Sequence, residues 1–89
     1  MEEMEILRRE IDEIDEQLVM LFEKRMELVR KIGDIKRQKG MEITDSQREE
    51  YVIKKALEKL NDKGLSEELE MFFRNLISIS KKIQSDNMK

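Results

Sequence analysis

Five polar side chains in this sequence stand where the helical pattern calls for apolar ones, and their types suit the binding of an anion. In the first forty residues Leu7, Ile11, Ile14, Leu18, Leu21, Leu28, Ile32 and Ile35 recur at spacings of three and four, the period of an amphipathic helix. Arg25 fills the empty slot between Leu21 and Leu28. At about 100° per residue, Arg25 and Lys36 fall within about 60° of Ile11, beside Leu7, Ile14, Leu18, Phe22, Val29 and Ile32. Arg8 lies at the edge of that stripe. Further along, Glu49 projects between Ile53 and Ala56, and Ser80 and Gln84 form an i, i+4 pair among Leu69, Phe73, Leu76 and Ile77. Burying unpaired charge costs several kcal/mol per ion. Two cations, one acid, a hydroxyl and an amide on interior faces could therefore line a polar cavity for an anionic ligand.

Each of these residues also has a plainer reading. Arg25 or Lys36 could snorkel from a core edge, and Arg25 could fix the register of a coiled coil. Glu49 could be the acid of a Ser46-x-x-Glu49 capping box. Ser80 could bond back to a helix carbonyl, and Gln84 could sit in a frayed end. Each is plausible singly; all of them together are less so. The absences narrow the chemistry further. With no Cys and no His, the chain lacks a thiolate nucleophile, a disulfide, the usual proton shuttle and the commonest metal ligand. An enzyme of this composition works by binding and electrostatics.

The elements that must position these groups are helices. A helix from Glu5 to Lys39 would be roughly 50 Å long, whereas a compact globule of this chain length has a radius of gyration of about 12 Å. Its own chain cannot cover it, so it needs a partner. Acids at Glu2, Glu3 and Glu5 and bases at Lys36, Arg37 and Lys39 complement its dipole. Gly40 can close it in the left-handed conformation, and Gly33, on the apolar side, permits close helix approach. Thr44, Asp45 and Ser46 are all good N-caps for a second helix reaching about Asn61. Gly64 supplies a stop, Ser66 caps a third helix, and the polar end from Ser85 to Lys89 is expected to fray.

The composition bounds the rest. Eighty-nine residues, 44% charged and 38% hydrophobic, with no Pro and three Gly, make one all-α domain over 1–89. The net charge of −3, with acids and bases interleaved, shows no basic face for nucleic acid. No apolar run is long enough for a membrane span or signal peptide, which makes the cytoplasm the default location.

At the same residues the chain resembles the all-α chorismate mutases, from about Leu7 to Gln84. Leu7-Arg8-Arg9-Glu10-Ile11-Asp12-Glu13-Ile14-Asp15 is like the family's LRxxIDxID opening. Arg25 follows in Glu23-Lys24-Arg25-Met26-Glu27-Leu28, and Lys36 in Ile35-Lys36. Asp45-Ser46-Gln47-Arg48-Glu49 is like the family's D-x-x-R-E motif, and Ser80 and Gln84 complete the set. No single piece is specific; eight positions in order are.

The resemblance implies one long and two shorter helices per chain in an intertwined six-helix homodimer. It implies the Claisen rearrangement of chorismate to prephenate in aromatic amino-acid biosynthesis, without cofactor or metal. Arg8, Arg25 and Lys36 would hold the substrate's carboxylates. Lys36 and Gln84 would donate to the ether oxygen, where charge grows as the C–O bond breaks. Glu49 would accept from the ring hydroxyl with Asp45 alongside, Ser80 would help hold the ring carboxylate, and Arg48 would line or brace the pocket. Arg8 and Arg25 are seventeen residues apart, about 25 Å along one helix. If both grip one substrate, Arg8 must come from the second subunit, on an antiparallel helix. Two alternatives stand beside this reading: an isochorismate-pyruvate lyase of the same superfamily, and a non-catalytic helical dimerisation module.

Overall fold

The computed structural model describes residues 2–86, and within them the chain is three α-helices with no strand. The first helix, α1, runs Glu2–Lys39, three residues earlier than the apolar pattern alone places its start, because Glu2, Glu3 and Glu5 favour the positive end of the dipole. It ends as expected at Gly40, the one residue described with positive φ, at 65°. The Gly40 amide donates to the Arg37 carbonyl and the Met41 amide to that of Lys36. These two bonds make a Schellman motif and satisfy carbonyls that the helix leaves open.

The second helix, α2, covers Ser46–Lys59, and Asp45 is its N-cap: the Asp45 carboxylate accepts from the Arg48 amide at 3.0 Å. The Ser46–Glu49 capping box therefore does not form. Ser46 already lies inside the helix, and Glu49 is one position too far along to reach back. The helix stops short of Asn61, at an extended Leu60, without a left-handed glycine. Gly64 instead belongs to a short 3₁₀ turn, Lys63–Leu65, capped by Asp62, whose carboxylate accepts from the Gly64 amide. The third helix, α3, spans Ser66–Asp86. Ser66 is helical itself, and its hydroxyl donates to the Lys63 carbonyl rather than accepting as a cap. Of the tail expected to fray, Ser85 and Asp86 are helical, and residues 87–89 lie outside the described residues.

Packing is uneven along the chain. Helix α3 lies against both α1 and α2. The buried residues of α1 are Met26, Val29 and Gly33, all in its second half, facing Ile77, Ser80 and Gln84 on α3. Gly33 allows the approach: a Cβ there would stand 3.1 Å from Gln84 Cγ and 3.4 Å from Gln84 Cα. Every residue from 2 to 24 is exposed, including Leu7, Ile11, Ile14, Leu18 and Leu21. The molecule measures 56 × 26 × 15 Å, with a radius of gyration of 16.4 Å. Its length is thus that of α1 alone, and half of that helix carries an apolar face against nothing. No helix among the described residues is long and apolar enough to cross a membrane.

Candidate active site

A cavity of about 160 Å³ opens where the three helices meet, beside the turn that joins α1 to α2. Helix α1 supplies Arg25, Val29, Ile32 and Lys36 to it; the turn and α2 supply Ile43, Asp45, Arg48, Glu49 and Val52; α3 supplies Ile77, Ser80, Lys81 and Gln84. Seven of the eight residues singled out in the sequence therefore share one space. Arg8 does not: it is exposed, on the uncovered half of α1, and no part of the cavity wall.

Arg25 is fixed from α3. Its Nη1 donates to Ser80 Oγ at 2.6 Å, and that hydroxyl donates in turn to the Leu76 carbonyl at 2.8 Å. The back-bond to the helix thus spends the serine's only proton and leaves its lone pairs to the arginine. Burial, and after it the nearby charge of Arg48, hold the Arg25 guanidinium below its usual pKa. Both causes mark a cation that lacks compensation, and no carboxylate among the described residues pairs with it. An anion entering the cavity would supply that compensation.

Lys36 points the same way along α1 and donates from Nζ to the Ile43 carbonyl at 2.8 Å, tying the connecting turn to the helix. One such bond leaves an ammonium two further donors. Arg48 stands with its guanidinium 5.1 Å from the centre of the Tyr51 ring, an arrangement that steadies its outer side by cation–π attraction. Because Asp45 caps α2, Glu49 is released from capping and meets Lys81 on α3, Oε2 to Nζ at 3.2 Å. Gln84 is 7% exposed, and its Oε1 has no hydrogen-bond partner among the described residues. A buried amide without a partner costs about 1–3 kcal/mol. The frayed-end reading of Gln84 is thus excluded: the residue lines the cavity and its buried amide has hydrogen-bonding capacity unused. A half-turn of the group would present Nε2 in place of the oxygen.

Among the described residues the wall holds four cations, Arg25, Lys36, Arg48 and Lys81, against two carboxylates, Asp45 and Glu49. One carboxylate is occupied by a helix amide and the other by Lys81, so the excess charge facing a ligand is positive. With Val29, Ile32, Val52 and Ile77 as apolar wall, the cavity suits a small carbon skeleton bearing anionic groups. Sequence reasoning missed Lys81. Its signal was present, because Ile77, Ser80, Lys81 and Gln84 share one α-helical face. The Ile43 carbonyl carried no signal in its side chain.

Residues 7–85 match the family model for chorismate mutase type II. Over 69 residues the chain is 38% identical to the T-protein of Haemophilus influenzae, covering 78% of this chain and 18% of that protein. It is 40% identical over 57 residues to the bifunctional chorismate mutase/prephenate dehydratase of Aquifex aeolicus, covering 64% of this chain and 16% of that one. The chain thus spans less than a fifth of the length of either. Against the chorismate mutase of Methanocaldococcus jannaschii it is 28% identical over 89 residues, covering 99% of this chain and 90% of the relative.

Proposed function

The chain belongs to the type II, all-α family of chorismate mutases, and from that premise we propose that it rearranges chorismate to prephenate in a cavity completed by a second copy of itself. The observation that carries the proposal is the convergence of Arg25, Lys36, Asp45, Arg48, Glu49, Ser80 and Gln84 on one cationic cavity with an unfilled amide. The reaction is an intramolecular pericyclic step. It asks the protein to hold a dianion in its folded, reactive conformer and to stabilise charge on the breaking ether bond. These residue types are sufficient for both tasks.

In this reading Arg25, braced by Ser80, takes one carboxylate with its fork of donors. Lys36 uses its remaining protons on a carboxylate and the ether oxygen. Gln84, with Nε2 turned inward, donates to the same ether oxygen. Glu49 accepts from the ring hydroxyl, Asp45 stands beside it as the cap that frees it, and Arg48 braces the wall. No cofactor or metal takes part.

Arg8 enters through assembly. The positions Leu7, Ile14, Leu21, Leu28 and Ile35, with Ile11, Leu18 and Ile32, form a seam of alternating three and four spacing along α1, and all of them are exposed. A second copy laid antiparallel along that seam covers it and brings its own Arg8 toward the cavity. Two-fold symmetry then makes two equivalent sites in a six-helix homodimer. Each chain contributes one domain, 1–89, acting in the cytoplasm.

The test is to incubate the purified chain with chorismate, follow the loss of its ultraviolet absorbance, and identify the product. Prephenate formed above the uncatalysed rate supports the proposal. No acceleration overturns it, and salicylate with pyruvate from isochorismate would replace it by the lyase reading.

A further inference from the structure

Among the described residues, Lys81 is the one cation of the cavity wall to which the reading above gives no task. Its ion pair with Glu49 differs from most others on the molecule. Arg37–Asp34, Lys55–Glu58 and Lys82–Asp86 each join neighbours on a single exposed helix. Lys81–Glu49 crosses from α3 to α2 at 3.2 Å, and both residues line the cavity. Both also line a second hollow of about 180 Å³ on the outer side, with Arg74, Ile77 and Ser78. The pair is therefore a partition between the inner site and the outer surface.

The carboxylate has few other places to go. The cap position that would have held it is taken by Asp45. On the outer side Arg74 is already paired with Glu70 at 2.9 Å and Glu50 at 3.3 Å, so it competes weakly for a third carboxylate. On the inner side stand Arg25, which has no carboxylate partner among the described residues, and Arg48. Released from Lys81, Glu49 would be drawn toward these two cations and would neutralise charge that an anionic ligand requires.

We infer that Lys81 is a positioning residue: it holds Glu49 by Oε2 away from the arginines, so that Oε1 accepts a hydrogen bond from a ligand hydroxyl while Arg25 stays free for a ligand carboxylate. The inference rests on the chorismate reading for the identity of the hydroxyl, the one on the substrate ring. A half-buried pair that solvent still reaches contributes only modestly to stability. Its effect is on the form of the empty site.

Kinetics of three variants and binding of two probes test the assignment. In turnover of chorismate, Lys81→Met should raise KM about three- to ten-fold with a smaller change in kcat, the order expected for one partly screened charge pair. Lys81→Arg should restore it. In a Glu49→Gln background, Lys81→Met should do no further harm, since the carboxylate to be restrained is gone. The probes are two bicyclic ether dicarboxylates, one carrying the ring hydroxyl and one lacking it, with binding measured by calorimetry. Lys81→Met should weaken the first more than the second. Equal weakening of both probes, no weakening, additive losses with Glu49→Gln, or failure of the wild-type chain to bind either probe overturns the inference. A wild-type chain that binds both but leaves chorismate unchanged sinks the mutase reading alone, and the hydroxyl-dependent difference then decides the role of Lys81 by itself.

Discussion

Replacing Gly33 by alanine separates what the α1–α3 contact does for stability from what it does for the site. The added methyl would stand 3.1 Å from Gln84 Cγ, 3.3 Å from its Cβ and 3.4 Å from its Cα. The first two distances are a few tenths of an ångström too short, and Cβ is fixed by the backbone, so no rotamer change relieves its contact; the third is ordinary van der Waals contact. Two effects of similar size then oppose each other. Alanine in a helix interior gains about 1 kcal/mol over glycine, and overpacking a fitted contact costs about 1–3 kcal/mol. The expected net loss is about 0–2 kcal/mol, seen as a melting temperature unchanged or lower by up to about 15 °C. Catalysis has no such compensation. Moving Gln84 by a few tenths of an ångström, where a full ångström is worth about a hundred-fold, should lower kcat about three- to ten-fold. Thermal unfolding and chorismate kinetics on the same preparation make the comparison. A Gly33→Ala chain that is stabilised by the full helix-propensity gain and keeps its kcat would refute the reasoning, because it would show that α3 does not feel the methyl.

Three further outcomes are expected. Arg25→Leu, which fills the empty slot of the apolar seam, should keep or raise the melting temperature while abolishing turnover; a variant that keeps its activity would favour the plain dimerisation module. Arg8→Ala and Arg25→Ala chains should each be inactive, and unfolding and refolding them together should restore part of the activity through mixed dimers with one intact site. No recovery, with mixed dimers demonstrated, would exclude donation of Arg8 between subunits. Gln84→Glu should confine activity to acid pH, because a carboxyl group donates to the ether oxygen only while protonated; an unaltered pH profile would remove that contact.

The helices and most of the candidate site were legible in the sequence because both follow from one periodicity. Arg25, Lys36, Glu49, Ser80 and Gln84 were visible as polar residues on apolar arcs, and a helix fixes the direction of each arc without knowledge of the rest of the fold. What escaped depends on competition between local groups. Asp45, Ser46 and Thr44 are all competent caps, so the sequence could not say that Asp45 would win and thereby release Glu49 to Lys81. Lys81 shares a face with Ser80 and Gln84, but a lysine at the edge of an apolar arc is more often solvated, so its type did not mark it. The turn from Lys63 to Leu65 was hidden because glycine at Gly64 suggested a stop, whereas the observed geometry needs only an Asp62 carboxylate over its amide.

If a second copy covers the bare half of α1, dilution becomes a variable of the protein's life. Among the described residues only Met26, Val29, Ile53 and Ile77 are buried apolar side chains within one copy, and none of these is buried completely. Ordering a residue costs about 1–2 kcal/mol of backbone entropy, and so little burial cannot offset that cost over a chain of this length. Under the proposed assembly, a solitary copy has no folded state worth the name, and folding and pairing are a single bimolecular event. Midpoints of unfolding should then climb with protein concentration. Specific activity should fall away below the pairing constant as the chains part and unfold together. In that assembly, removing one arginine would spoil one contact with the substrate, whereas thinning the solution would remove both sites at once.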